Sequence, residues 1–227
     1  MTRVLEKIVR GRMTKGIVVP VAFVILTIVS AGAGRAEDTG AVSASAVQAK
    51  TKYCEVCHGA DARGFLGYYP IPRLAGQQVE YIENQLKGFI EHKRANTASP
   101  TTTNIMFDVG HVLSPAMIKA LATNFHALNP SPVGGAPKDN LAAGKTIFDE
   151  GVAGTDVPPC ASCHGAQGEG NGEIPRLAGQ LYPYVVKQLT NWSKERAEKN
   201  ADVMAPIAHD LTASQIEAVA AYVSYLK

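Results

Sequence analysis

Three kinds of hydrophobic patterning divide the chain. From Ile17 to Ser30 runs an uncharged, mostly apolar stretch of 14 residues, preceded by Arg3, Lys7, Arg10, Arg12 and Lys15 and followed by the small residues Ala31-Gly-Ala33. A basic start, a short apolar run and a small-residue site predict a secretory signal peptide over residues 1–36, cut after Ala33 or after Ala36. The run falls short of the roughly 20 apolar residues a spanning helix needs, and its retention as an anchor is the alternative. Further on, Ile118, Leu121, Phe125 and Leu128 form one stripe at helical spacing, and Ile216, Val219, Ala220, Val223 and Leu226 form a second. Both predicted helices begin with a start signal, Ser114 before Pro115 in the first and Thr212 with Gln215 three residues on in the second. Leu141, Gly144 and Phe148 predict another helix, and residues 77–90 and 180–192 predict one more in each half. No segment alternates as a half-buried strand would, so the fold class expected is all-α.

The pattern occurs twice. The heptapeptide IPRLAGQ stands at 71–77 and again at 174–180. After it, Tyr81, Gln85 and Leu86 match Tyr184, Gln188 and Leu189, Arg94-Ala matches Arg196-Ala, and Leu113-Ser114 matches Leu211-Thr212. Self-similarity of this kind marks a duplicated domain. The stretch LNPSPVGGAPK at 128–138 has the Pro- and Gly-rich composition of a connector. The expected organisation is a signal peptide at 1–36, an N-terminal domain at 37–130, a linker at 131–138 and a C-terminal domain at 139–227. Each domain holds roughly 90 to 95 residues, a size at which side chains alone give a limited core. A covalently held group can supply the rest.

Charge changes once the leader is set aside. The full chain carries +2, but its first 36 residues hold six Lys or Arg against Glu6, which leaves −3 on the remainder. Acids and bases balance in residues 37–137, eight against eight, whereas 138–227 carry eleven acids against eight bases. That balance argues against nucleic acid, which selects basic surfaces. It permits an electrostatic preference for a positively charged docking patch.

The chemistry lies in Cys54-Glu-Val-Cys57-His58-Gly59 and Cys160-Ala-Ser-Cys163-His164-Gly165, which use all four cysteines. C-x-x-C-H reads as c-type heme attachment, with two thiols joined to the heme vinyl groups and the adjacent imidazole on the iron. A structural zinc site would set its two C-x-x-C pairs about 15 to 20 residues apart. A thioredoxin-like pair has no need of a histidine after each second cysteine, and two structural disulfides leave the repeated His-Gly and IPRLAGQ unexplained. Ala143-Gly-Lys-Thr146 is not a phosphate loop, because position 139 is Asp where such a loop requires Gly. Two heme c groups are therefore expected, on Cys54, Cys57, Cys160 and Cys163, with His58 and His164 as axial ligands.

Whether the second axial position is filled separates a carrier from an enzyme. Met106 lies five residues before His111 and seven before Leu113, and Met204 lies five before His209 and seven before Leu211. The matched register selects Met106 and Met204 as thioether ligands. Met117 has no counterpart and reads as core. His111 and His209 share the register and are the rival ligands. A ligating imidazole usually donates its other ring proton to an acceptor, and the backbone carbonyls of Pro72 and Pro175, 14 and 11 residues after the two histidines, are candidates. Arg73 and Arg176 are candidate partners of heme propionates. Trp192 takes the place of Phe89 in the repeat and reads as core or heme-edge packing.

Together CEVCHG, CASCHG, both IPRLAGQ segments, Met106, Met204 and the terminal helix patterns resemble the cytochrome c4 family over nearly the whole chain after the leader. The resemblance implies two tandem class I cytochrome c domains with His/Met ligation of both irons. It further implies hemes close enough to exchange electrons, in a periplasmic carrier rather than an enzyme. The partners it implies are redox protein donors and membrane respiratory complexes such as a terminal oxidase, with peripheral membrane association left open. A di-heme peroxidase-like enzyme and a membrane-bound heme subunit of an oxidase complex are the alternatives. The first half departs from the second in carrying Gly67-Tyr-Tyr-Pro70 before its heptapeptide and four extra residues between Arg94 and Met106.

Overall fold

The computed structural model describes residues 41–67, 69–94, 100–197 and 201–227, with the side chains of 100–104 and 201 left aside. The predicted signal peptide lies outside the described residues. The first half opens with α1 (Ala44–His58), capped by Ser43, whose Oγ accepts the Ala46 N–H at 3.2 Å. It continues through α2 (Val79–Ile90), α3 (Pro100–Gly110) and α4 (Pro115–His126). Ser114 caps α4 by accepting the Met117 N–H, with Pro115 in the first turn where no donor is missed. The second half comprises α5 (Leu141–Glu150), α6 (Ala161–His164), α7 (Tyr182–Thr190), α8 (Trp192–Glu195), α9 (Ala201–Asp210) and α10 (Ala213–Tyr225). Thr212 and Gln215 close a reciprocal capping box at the start of α10.

The fold is all-α apart from one small hairpin, β1 (Phe65–Leu66) against β2 (Pro70–Ile71), with Phe65 opposite Ile71. Strands of two residues are too short to show alternation in the sequence. The hairpin sits where the first half carries its extra Gly67-Tyr-Tyr-Pro70; the second half closes the same path with a single Asn171 to Ile174 bridge.

In each half the first and last helices pack together, α1 on α4 and α5 on α10. The second-half core joins Ile147 and Phe148 of α5 to Ile216, Val219 and Val223 of α10, with Val185 and Leu211. In the first half Ile82, Leu121 and Phe125 are buried together with Met117 packed against them, the packing role its lack of a repeat partner suggested. Two further contacts matter for the site. Helix α3 packs on α2, where Gly110 leaves room for the Ile90 side chain, and α9 packs on α7 and α8. Residues 127–140 run without helix between the halves, and the Tyr225 hydroxyl donates to the Ala136 carbonyl at 2.6 Å, tying the end of α10 to this connector. Among the described residues, no helix is long and apolar enough to cross a membrane.

Candidate heme sites and the seam between them

Cys54 and Cys57 lie on the last turns of α1, while Cys160 and Cys163 flank and enter α6. All four are free thiols, Cys54 and Cys160 half-buried and Cys57 and Cys163 exposed. Burial pushes the Cys54 and Cys160 thiols up to about 11. A dithiol redox pair needs the opposite shift, toward thiolate. The adjoining His58 and His164 are buried at the ends of their helices. His58 Nδ1 donates to the Pro72 carbonyl at 2.8 Å, and His164 Nδ1 donates to the Pro175 carbonyl at 2.9 Å. With the ring proton held at Nδ1, the lone pair of each neutral imidazole lies at Nε2, ready to ligate. Burial pushes both histidines below their ordinary range, against the opposing pull of the carbonyl bonds, which favours that neutral form.

The heptapeptide places these prolines in the same way twice. Gly64 N–H donates to the His58 carbonyl and Gly170 N–H to the His164 carbonyl, at 2.8 and 2.7 Å. Leu74 and Ala75 N–H groups share the Ala62 carbonyl, as those of Leu177 and Ala178 share that of Gly168. The chain turns left-handed here, at φ 67 for Gly168 and at φ 53 for its first-half counterpart Ala62. An alanine held in that region is uncommon, and here its side chain is fully enclosed in the first core.

Arg73 is 3% exposed, its Nε donating to the Ala75 carbonyl at 2.9 Å. One terminal guanidinium nitrogen of Arg73 is buried without a hydrogen-bond partner, and among the described residues no carboxylate pairs with it. Burial, with repulsion from Arg176 and Arg63, holds this guanidinium down at about 10. Arg176 repeats the arrangement, its Nε donating to the Ala178 carbonyl at 3.2 Å. A buried cation with an orphaned donor requires an anion, and a heme propionate meets that requirement. Free thiols, a presented imidazole lone pair and an unanswered guanidinium all fit heme c.

Met106 lies on α3 and Met204 on α9, both half-buried. The rivals lie outside: His111 and His209 are exposed. His111 stacks on Phe107 at 5.1 Å and bonds the Phe107 carbonyl, while His92 stacks on the same ring at 4.3 Å, making a surface pile of three rings. Trp192 is half-buried. It carries the Arg196 guanidinium 4.6 Å above its ring, as Phe89 carries that of Arg94 at 4.5 Å.

Sequence reasoning missed the residues that join the halves. Gln180 Oε1 accepts the Arg73 N–H at 2.8 Å while its Nε2 donates to the Arg73 carbonyl at 3.0 Å. Gln77 does the same for Arg176, at 2.7 and 3.0 Å. Each glutamine oxygen also accepts the N–H of the residue after it, Gln78 or Leu181. The last residue of each heptapeptide thus grips the third residue of the other. Beside this pair, Arg94 donates to the Tyr184 hydroxyl at 2.6 Å, and Arg196 donates to Gln85 Oε1 at 2.7 Å and approaches the Tyr81 hydroxyl at 3.5 Å. Arg94 and Arg196 form an antiparallel bridge, continued by Ala197 N–H to the Lys93 carbonyl at 2.7 Å. Burial would raise the Tyr184 hydroxyl, but the Arg94 and Arg196 charges prevail and hold it below its ordinary value. The available signal was the polar half of the repeat: a two-fold related contact needs the same residues on both sides.

A helical fold with two such Cys-Cys-His sites is that of a di-heme c-type cytochrome, holding two heme c groups. The family described as cytochrome c matches residues 141–227. Cytochrome c-552 of Acidithiobacillus ferridurans is 40% identical over 189 residues, covering 82% of this chain and 79% of that protein. A thiosulfate dehydrogenase electron acceptor of Stutzerimonas stutzeri is 34% identical, covering 74% of this chain and 76% of its own. The solved cytochrome c4 of Acidithiobacillus ferrooxidans superposes with a TM-score of 0.66 at 39% identity, over 77% of this chain and 99% of that one. The chain belongs to the cytochrome c4 family.

Proposed function

We propose that the protein is an exported, periplasmic one-electron carrier in which both irons are closed by a histidine and a methionine. Heme iron, when bound, supplies a ferric/ferrous couple. Cys54 and Cys57 attach one heme and Cys160 and Cys163 the other, with His58 and Met106, and His164 and Met204, as the axial pairs. Pro72 and Pro175 hold the imidazole rings, and Arg73 and Arg176 receive propionates. The observation that carries the reading is the duplicated imidazole bond: the same proton is held by the same heptapeptide residue at 2.8 and 2.9 Å in both halves. The exposure of His111 and His209, against the half-burial of Met106 and Met204, supports the methionines as sixth ligands. A thioether stabilises ferrous iron and raises the potential, which suits a carrier delivering electrons to a terminal oxidase.

Met106→Ala and Met204→Ala are each expected to remove about half of the red-end thioether-to-ferric-iron absorption band and to lower the potential of one site. The double variant should lack the band. An unchanged band in either single variant would overturn the assignment for that half. Peroxide turnover by the reduced protein, with one high-spin iron, would replace the carrier reading by the peroxidase one.

The similarity to a thiosulfate dehydrogenase electron acceptor favours one donor class, a thiosulfate-oxidising dehydrogenase. Ferric protein mixed with thiosulfate and a catalytic amount of such a dehydrogenase should become ferrous at a rate proportional to the dehydrogenase. Reduction no faster than with thiosulfate alone would remove this donor.

A further inference from the structure

Helix α2 presents Tyr81, Gln85 and Phe89 at successive turns of one face, and Tyr184, Gln188 and Trp192 repeat that spacing along α7 into α8. Arg94 and Arg196 close this seam from its end. Arg94 rests on Phe89 of its own half and donates to Tyr184 of the other. Arg196 rests on Trp192, donates to Gln188 of its own half, and donates to Gln85 of the other. The seam helices are the ones that brace the methionine-bearing helices, α2 supporting α3 and α7 supporting α9. Each arginine also directly precedes the segment leading into its methionine helix, Arg94 twelve residues before Met106 and Arg196 eight before Met204.

We propose that Arg94 and Arg196 are positioning residues that tie the two methionine-bearing helices to one shared brace, so that the axial geometry at each heme depends on the other half. The proposal rests on methionine ligation as read above. Physically, the seam is one packed body: a change at Arg196 removes a hydrogen bond to Gln85 on α2 and one to Gln188 on α7 together, and close-packed elements pass such displacements on. A planar guanidinium can serve these acceptors at once, whereas an ammonium is a single point of charge. Lysine is therefore a poor substitute.

The test uses the full di-heme protein and reads both reduction potentials in Arg196→Gln, Arg196→Lys and Tyr184→Phe. Met106→Ala and Met204→Ala assign each potential to its half. Arg196→Gln is expected to shift the oxidised-to-reduced equilibrium at both sites, by about fivefold or more, the lower end of ordinary coupling between sites. Arg196→Lys should shift both sites as well, since it keeps the charge and loses the fork. Tyr184→Phe removes one hydroxyl without altering charge and should move both potentials by a smaller amount; it decides the matter if the Arg196 variants do not fold. A shift confined to the second-half site, or full recovery of both potentials in Arg196→Lys, overturns the proposal, the latter because it would show a bare charge effect. Absence of the thioether band in the wild type would instead defeat the ligation reading, while the coupling is still decided by the potentials.

Discussion

Gln180→Ala is expected to lower stability by about 2–4 kcal/mol, because it leaves both the N–H and the carbonyl of Arg73 without partners in the seam, each orphaned group costing about 1–3 kcal/mol. Arg73 is 3% exposed and Gln180 7%, so water has little access to take over. Leu181 also loses the acceptor at the start of α7. Gln77→Ala should cost a similar amount, since it withdraws the reciprocal pair from Arg176. Gln180→Glu should not rescue, as a carboxylate cannot donate to the Arg73 carbonyl. Denaturant unfolding of the heme-loaded protein, followed separately by far-UV signal and heme absorption, reads this. A Gln180→Ala midpoint within about 0.5 kcal/mol of wild type, the range of an unimportant surface change, would show that the seam does not hold the halves.

Gly144→Ala is the second large effect, and here two principles oppose one another. Alanine in a helix interior gains about 1 kcal/mol over glycine. A methyl at this position, however, would stand 2.7 Å from the Ala218 carbonyl carbon and 2.8 Å from Tyr222 Cβ, where α5 crosses α10. Backbone cannot turn aside as a flexible side chain can, so the helices must separate, and overpacking of this kind costs about 1–3 kcal/mol or more. The clash prevails. A net loss of about 2 kcal/mol is expected, larger for Gly144→Val, appearing as a lower thermal midpoint for the second-half heme environment. Unchanged or raised stability in Gly144→Ala would mean the crossing is looser than its geometry states. The first-half crossing is built differently: Asn124 Nδ2 donates to Thr51 Oγ1 at 3.1 Å between α4 and α1.

Much of this was legible in the sequence because heme attachment imposes fixed spacing and helices impose a fixed period. Ser114 with Pro115 and Thr212 with Gln215 start helices because capping is a local interaction, set within four residues. The hairpin at Phe65 was not legible, being too short for a period to register. The seam was illegible for a different reason. Arg94, Arg196, Gln77 and Gln180 each hydrogen-bond to residues about a hundred positions away, and polar side chains read one at a time look like solvated surface. Their identity in both halves was visible, but its meaning required the two-fold arrangement. The heptapeptide likewise carries two roles at once, Pro72 and Pro175 facing a histidine while Gln77 and Gln180 face the opposite half.

The most direct measurement is the spin state and axial ligation of the fully oxidised protein, by electron paramagnetic resonance together with the intensity of the thioether-to-iron band per chain. Two low-spin ferric hemes are expected, with band intensity for two sites, unaltered by peroxide. One high-spin heme per chain, or intensity for a single site, would contradict a carrier with both irons closed.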